Sequence, residues 1–321
     1  MSSSKLNTEK ELVLPNFFII GVAKSGTTSL ARFIQRNSEI FVAPVKETDF
    51  FSWDVEYKKG IAYYSDAHFS GVHHQAIGDA SGSYFTSEIA RDRIARDIPA
   101  SSHRFIVILR DPVKRAYSQY LMARFRHRTE KLSFEDAVLE DRERRSVLAN
   151  GRFPTSYLWP SEYGTLIGSW KAKFPEGKFL FLQSDQFRDE PSVTFESVVK
   201  FLGIESKLME SEDGFEMLDS PQVNGASATL FGLTGRTTRV PPRALNVVRK
   251  FTSYTFRSTV LRKMDRFDRF LERRLSSYKD SRQLPQMEKE LEYELRRRFE
   301  SEVKLAARIT GLDLSAWLPS D

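Results

Sequence analysis

Two short stretches of this chain combine residue types that can hold phosphate. The first is Gly21-Val22-Ala23-Lys24-Ser25-Gly26-Thr27-Thr28-Ser29. A glycine-bearing turn that opens a helix lets a phosphate approach the backbone. The helix start then meets it with unpaired N–H groups and the positive end of the macrodipole. Lys24 adds a mobile charge, and Ser25, Thr27, Thr28 and Ser29 add hydroxyl donors around Gly26. The spacing of Gly21 and Gly26 matches the loop of nucleoside triphosphatases, Gly-x-x-x-x-Gly-Lys-[Ser/Thr]. The lysine does not match: Thr27 stands in its place, and Lys24 falls two residues before Gly26. The loop suits a phosphate, but not the γ-phosphate and magnesium of a kinase.

The second stretch is Arg110-Asp111-Pro112-Val113-Lys114-Arg115-Ala116-Tyr117-Ser118-Gln119-Tyr120. Asp followed by Pro is a strong helix start, with Asp111 as the cap, and predicts a helix from Val113 to about Arg128. Ser118 lies seven residues after the cap, on the face shared by Asp111, Lys114 and Arg115. An arginine at a strand end and a hydroxyl two turns into the next helix can clamp one phosphate from two sides. A nucleoside with phosphates at both ends fits two such sites.

The elements that must position these groups can be read from the apolar pattern. Phe17-Phe18-Ile19-Ile20-Gly21-Val22 and Phe105-Ile106-Val107-Ile108-Leu109 are uninterrupted runs, as expected of strands buried on both faces of a parallel sheet. Ile40-Phe41-Val42 and Phe179-Leu180-Phe181-Leu182 continue the series. Helices are predicted over Thr27–Gln35, Ser192–Leu202 and Met287–Ile309, the last with Leu291, Leu295, Phe299, Val303 and Ala306 as its apolar stripe. Strands interleaved with helices imply an α/β fold with a central parallel sheet flanked by helices, and the Gly21–Gly26 spacing between strand and helix makes it P-loop-like. Both phosphate stretches then lie at carboxyl ends of strands, where open α/β sheets bind ligands. The reading divides the chain into a flexible N-terminus, 1–14, and a single domain, 15–321. Within it, 15–205 form the α/β core with the cofactor site, 206–242 a Gly/Ser/Thr/Pro-rich loop region, and 243–321 a C-terminal helical extension.

Composition narrows the chemistry. The 321 residues carry 49 Lys plus Arg against 43 Asp plus Glu, a net charge of +6. That excess is compatible with nucleic acid, an anionic membrane or a phosphorylated small ligand, and selects none of them. There is no cysteine, which excludes disulfides, thiolate-held zinc and a thiol nucleophile. With five His, a His-rich metal site is not expected, so no metal is assigned. Met1 to Leu14 lacks the apolar stretch of a signal peptide, and no segment reaches the roughly 20 apolar residues of a membrane span. The expectation is a cytoplasmic protein.

The motifs together resemble those of sulfotransferases that use 3′-phosphoadenylyl sulfate (PAPS), in particular the heparan sulfate N- and O-sulfotransferase branch and its bacterial relatives. Phe18 to Leu30 is similar to that family's 5′-phosphosulfate loop. Lys46-Glu47-Thr48-Asp49-Phe50-Phe51 resembles its Lys-Glu-x-x-Phe-Phe segment, with Asp49 where His is frequent. Arg110 to Tyr120 resembles its 3′-phosphate motif, an Arg with a Ser eight residues on. Ser83-Tyr84-Phe85, Tyr163 with Leu166, Trp170 and Phe174-Pro175, Phe201-Leu202-Gly203, and Gly311 to Leu318 also agree. Thr234-Gly235-Arg236 is the nearest match to a late Lys-Gly-Arg cofactor loop.

The resemblance implies PAPS as donor and PAP as product. Cofactor contacts are expected from Lys24, Ser25, Gly26, Thr27, Thr28, Ser29, Arg110, Ser118 and Arg236. It implies Glu47 as general base and Lys24 as the group that neutralises the leaving phosphate, with Lys46 helping to hold the sulfuryl group or acceptor. The acceptor is expected to be a glycan or other small metabolite, with no nucleic-acid partner and the oligomeric state open. A P-loop kinase is the rival enzyme, but lacks its loop lysine here. A basic nucleic-acid-binding protein is the rival from another class, and lacks a recognition signature.

Overall fold

The computed structural model describes residues 12–45, 47–145, 148–149, 153–204 and 286–320. Its centre is a parallel five-stranded sheet. The strands are β1 (Phe17–Gly21), β2 (Ile40–Val42), β3 (Ala76–Ala80), β4 (Arg104–Leu109) and β7 (Lys178–Gln183), in the order β2-β3-β1-β4-β7. A short antiparallel pair, β5 (Leu148–Ala149) with β6 (Phe153–Pro154), stands apart. Strand β1 pairs with both β3 and β4, so the turns leaving all three strands meet at one edge of the sheet.

The apolar run of β1 serves two cores, because successive side chains point to opposite faces. Phe17 and Ile19 pack with Leu30, Phe33 and Ile34 of α1 (Thr27–Ile34). Phe18 and Ile20 point the other way, into the larger core, which also takes Tyr64 of α2 (Ile61–Phe69) and Ile94 of α3 (Glu88–Asp97). Beyond α4 (Pro112–Leu121) the larger core is closed by Trp170 of α5 (Tyr163–Lys173). The smaller one is closed by Val198 and Leu202 of α6 (Pro191–Leu202). Both faces of the sheet are therefore covered, the condition under which a parallel sheet is stable.

Some expectations change. The helix after Asp111 is α-helical only to Leu121. Met122–His127 is a π-helical segment that ends at Arg128 with φ 55°. β7 is an edge strand, with most of its side chains half-exposed, and not a third fully buried one. β3 was not evident in the sequence: its Gly78 carries no side chain because the Phe17 ring occupies that space.

The C-terminal helix α7 (Lys289–Thr310) buries Leu295, Phe299, Val303 and Ala306, as its stripe predicts, while Leu291 is only half-buried. It lies along α5, where Glu302 accepts hydrogen bonds from Thr165 N (2.9 Å) and Oγ1 (2.6 Å). Arg236, Lys46, the segment 206–242 and the basic stretch 243–274 lie outside the described residues.

Candidate active site

The loop after β1 enters α1 through two residues with positive φ, Lys24 at 75° and Gly26 at 101°. Left-handed residues in a turn swing successive N–H groups toward one side, which is the backbone form of an anion-binding concavity. Gly26 tolerates that angle because it has no Cβ. The first N–H groups of α1, from Thr27 onward, lie beyond reach of any intrahelical acceptor. Ser25 is 2% exposed, and its Oγ has no hydrogen-bond partner among the described residues. A buried hydroxyl is normally satisfied, so this one is suited to an oxygen arriving with a ligand. Thr27 is buried, Ser29 half-buried and Thr28 exposed.

Arg110 follows the end of β4 and reaches back to the first loop, where its Nη1 donates to the Lys24 carbonyl at 3.0 Å. Tyr163 Oη donates to the Arg110 carbonyl at 2.8 Å and holds the backbone there. Burial pulls the Arg110 guanidinium below its ordinary pKa, with Tyr163, Asp185 and Asp111 opposing that fall. It remains a cation at neutral pH, already stripped of part of its water. Asp111 caps α4 by accepting from the N–H groups of Val113 (3.0 Å) and Lys114 (3.1 Å). Its other oxygen accepts from Arg296 Nη2 at 2.9 Å, from α7. Ser118 is half-buried farther along α4.

Glu47 comes to the same place from the turn after β2. A Cβ built on Gly82 would lie 3.2 Å from Glu47 Oε1 and 3.7 Å from the N and Cα of Ala23. The carboxylate thus overhangs Gly82, next to the start of the phosphate loop. A small hollow of about 20 Å³ lies beside Gly82, lined by Val22, Ala23, Gly82, Ser83, Thr86, Gln119 and Pro160. Lys24 lies at the α4 side, its Nζ 3.6 Å from Met122 Sδ. The structure therefore brings together the Lys24 loop, Arg110 and Glu47, contributed by the turns after three different strands.

Arg115 is the main group that sequence reading misplaced. Placed on one helical face with Asp111, Lys114 and Ser118, it is 0% exposed, while Lys114 is exposed. Its Nε donates to Ser161 Oγ (2.6 Å), its Nη1 to Gln119 Oε1 (2.7 Å) and the Ala23 carbonyl (3.3 Å), and its Nη2 to the Tyr157 carbonyl. Burial lowers its pKa to about 10. Arg115 ties α4 to the phosphate loop and orients Gln119 in the wall of the hollow. Helical spacing put Lys114 and Arg115 on one face, yet the structure exposes the first and buries the second. Gly82, Ser83 and Thr86 gave no separate signal beyond the Ser83-Tyr84-Phe85 stretch.

A parallel α/β sheet with a P-loop-like turn between β1 and α1 at its carboxyl edge defines the class. Residues 14–219 match the sulfotransferase domain family, and the chain belongs to that family. The human bifunctional heparan sulfate N-deacetylase/N-sulfotransferase 2 is 31% identical over 200 residues, 60% of this chain and 22% of that protein. The mouse heparan sulfate glucosamine 3-O-sulfotransferase 3A1 is 28% identical over 231 residues, 70% of this chain and 56% of that protein. The chain thus spans about a fifth to a little over half of these relatives. A solved sulfotransferase from Alicyclobacillus acidocaldarius superposes with a TM-score of 0.61 at 20% identity, covering 95% of this chain and 99% of that one, and shares the fold.

These relatives overturn the cytoplasmic expectation. The matched heparan sulfate sulfotransferases are Golgi-lumenal enzymes, so lack of a signal-like start does not place a family member in the cytoplasm. No helix among the described residues is long and apolar enough to cross a membrane.

Proposed function

We propose that this chain transfers a sulfuryl group from PAPS to a hydroxyl or amine of a carbohydrate acceptor. The observation that carries the reading is the buried, unpartnered Ser25 hydroxyl, set in a loop whose Lys24 carbonyl is held by Arg110. Bound PAPS supplies an activated sulfuryl group, whose bond to the bridging phosphate oxygen breaks as the bond to the acceptor forms. Lys24, the Ser25, Thr27, Thr28 and Ser29 hydroxyls and the N–H groups around Gly26 hold the 5′ side. There they meet the charge that grows on the departing phosphate, with donors fixed beforehand. Arg110 and Ser118 grip the 3′-phosphate. Glu47, overhanging Gly82 at the mouth of the hollow, takes the proton from the acceptor. The carbohydrate class is suggested by the heparan sulfate relatives.

The test is transfer of labelled sulfate from PAPS to a panel of glycans, with Glu47→Gln as the key variant. The amide keeps the shape and cannot take a proton, so turnover falls by ~10²–10⁴-fold while PAP affinity holds. Near-normal transfer by Glu47→Gln at saturating acceptor would remove Glu47 from the role of base.

A further inference from the structure

The segment that carries Glu47 has no regular secondary structure, yet a base must be held to within a fraction of an ångström. What holds it is a cluster built around Asp79, the fourth residue of β3. Asp79 is 0% exposed. Its Oδ2 accepts from Thr48 Oγ1 (2.7 Å), Tyr64 Oη (2.7 Å) and Tyr84 Oη (2.8 Å), and its Oδ1 accepts from Ser81 Oγ (2.8 Å). All four partners are hydroxyls. Burial first, and the Asp79 charge second, push both tyrosines far above their ordinary pKa, so both keep their protons to donate.

A hydroxyl has one proton to give and two lone pairs to receive with. Once Asp79 takes the proton, only the acceptor side is left for other groups. Three of the four hydroxyls spend it on consecutive backbone N–H groups directly after Glu47-Thr48. Ser81 Oγ accepts from Asp49 N (3.2 Å), Thr48 Oγ1 from Phe50 N (3.4 Å) and Tyr84 Oη from Phe51 N (3.4 Å). Tyr64 Oη binds Asp79 but none of these three amides. Because the carboxylate only accepts, it sets the direction of every hydroxyl at once.

From this geometry we infer that Asp79 is the positioning residue of the active site, orienting the hydroxyls that clamp residues 49–51 and thereby fix Glu47 over Gly82. The inference rests on Glu47 acting as the base. Asparagine at position 79 keeps the volume but turns one acceptor oxygen into an NH₂ donor. At least one hydroxyl must then accept from that NH₂ and turn its proton away from residue 79, which disturbs the arrangement of lone pairs offered to the amides of residues 49–51.

The experiment compares Asp79→Asn, Tyr84→Phe, Thr48→Val and Tyr64→Phe for kcat at saturating acceptor, PAP affinity and thermal stability. Asp79→Asn is expected to lower kcat by ~10–100-fold with PAP affinity unchanged, the scale of a base displaced by up to about 1 Å. Tyr84→Phe and Thr48→Val each release one clamped amide and should lower kcat to a smaller degree. Tyr64→Phe removes an equally buried hydroxyl from Asp79, so it should cost comparable stability yet leave kcat near normal. In a Glu47→Gln background, Asp79→Asn should lower the residual rate no further.

Equal losses of kcat in Tyr64→Phe and Tyr84→Phe would show that the cluster acts only on stability and overturn the inference. So would near-normal kcat in Asp79→Asn. Failure of the base reading looks different, since Glu47→Gln would then itself retain turnover. If Asp79→Asn fails to fold, the Tyr64→Phe and Tyr84→Phe pair decides alone.

Discussion

Arg110→Ala offers the sharpest check on the proposal that the two turns, at Lys24 and at Arg110, share one nucleotide. The guanidinium is half-buried and partly desolvated in the structure, as its lowered pKa indicates. A charge-assisted hydrogen bond from such a group contributes ~1.5–3 kcal/mol. Loss of the 3′-phosphate contact alone should therefore weaken PAP by ~10–150-fold. The same guanidinium also donates to the Lys24 carbonyl at 3.0 Å, so its removal loosens the loop proposed to hold the 5′ side. A neutral acceptor next to that loop loses about 1 kcal/mol of support, which predicts a severalfold loss for AMP, a nucleotide without the 3′-phosphate. The assay is calorimetric titration of wild type and variant with PAP and AMP at one ionic strength. The ratio of the two losses is the readout: PAP must fall by at least ~10-fold more than AMP. Equal losses would mean that Arg110 acts only through the Lys24 loop, and the assignment of the 3′-phosphate to Arg110 would be refuted.

Further outcomes are expected. Gly82→Ala places a methyl 3.2 Å from Glu47 Oε1, so kcat should drop by ~3–30-fold with PAP affinity nearly unchanged, since small misplacements act on the chemical step; steady-state kinetics beside a PAP titration checks it. Transfer should persist in excess EDTA, because the proposed charges on the donor come from Lys24, Arg110 and backbone N–H groups; activity lost on chelation and restored by magnesium would favour kinase-type chemistry. Burial lowers the pKa of His103 below 6.5. The unfolded chain then protonates first, and stability should fall as pH drops through about 6.5 toward the folded value. Thermal melts between about pH 7.5 and 5.5 should show that slope, and His103→Gln should flatten it.

The buried runs of β1 and β4 were legible because a strand covered on both faces needs no alternation. The cap Asp111-Pro112 announced α4 for an equally local reason. β3 was hidden because its sequence, Ala76-Ile77-Gly78-Asp79-Ala80, answers to the Phe17 ring and to four hydroxyls from Thr48, Tyr64, Ser81 and Tyr84 and not to strand propensity. The turn from Gly21 to Gly26 could be read from its glycines and placed between strand and helix. The position of Glu47 could not, since it depends on hydroxyls more than 30 residues away in the chain. Arg115 shows the same limit: helical periodicity groups residues on a face, while the Ser161, Tyr157 and Ala23 partners that bury it belong to other segments.

The bond from Arg296 to Asp111 spans 185 residues, and that separation governs the order in which the site can be built during synthesis. A nascent chain that has left the ribosome up to residue 204 already possesses Lys24, Glu47, Arg110 and Ser118. It still lacks the guanidinium that steadies the cap of α4 and the Glu302 carboxylate that receives Thr165. At ~5–20 residues per second, the remaining stretch up to α7 takes several seconds to translate. During that interval the Asp111 cap sits without its counter-charge and the groove along α5 lies open. The support that α7 gives to the α4 cap and to α5 is thereby the last of these contacts to form as the chain emerges.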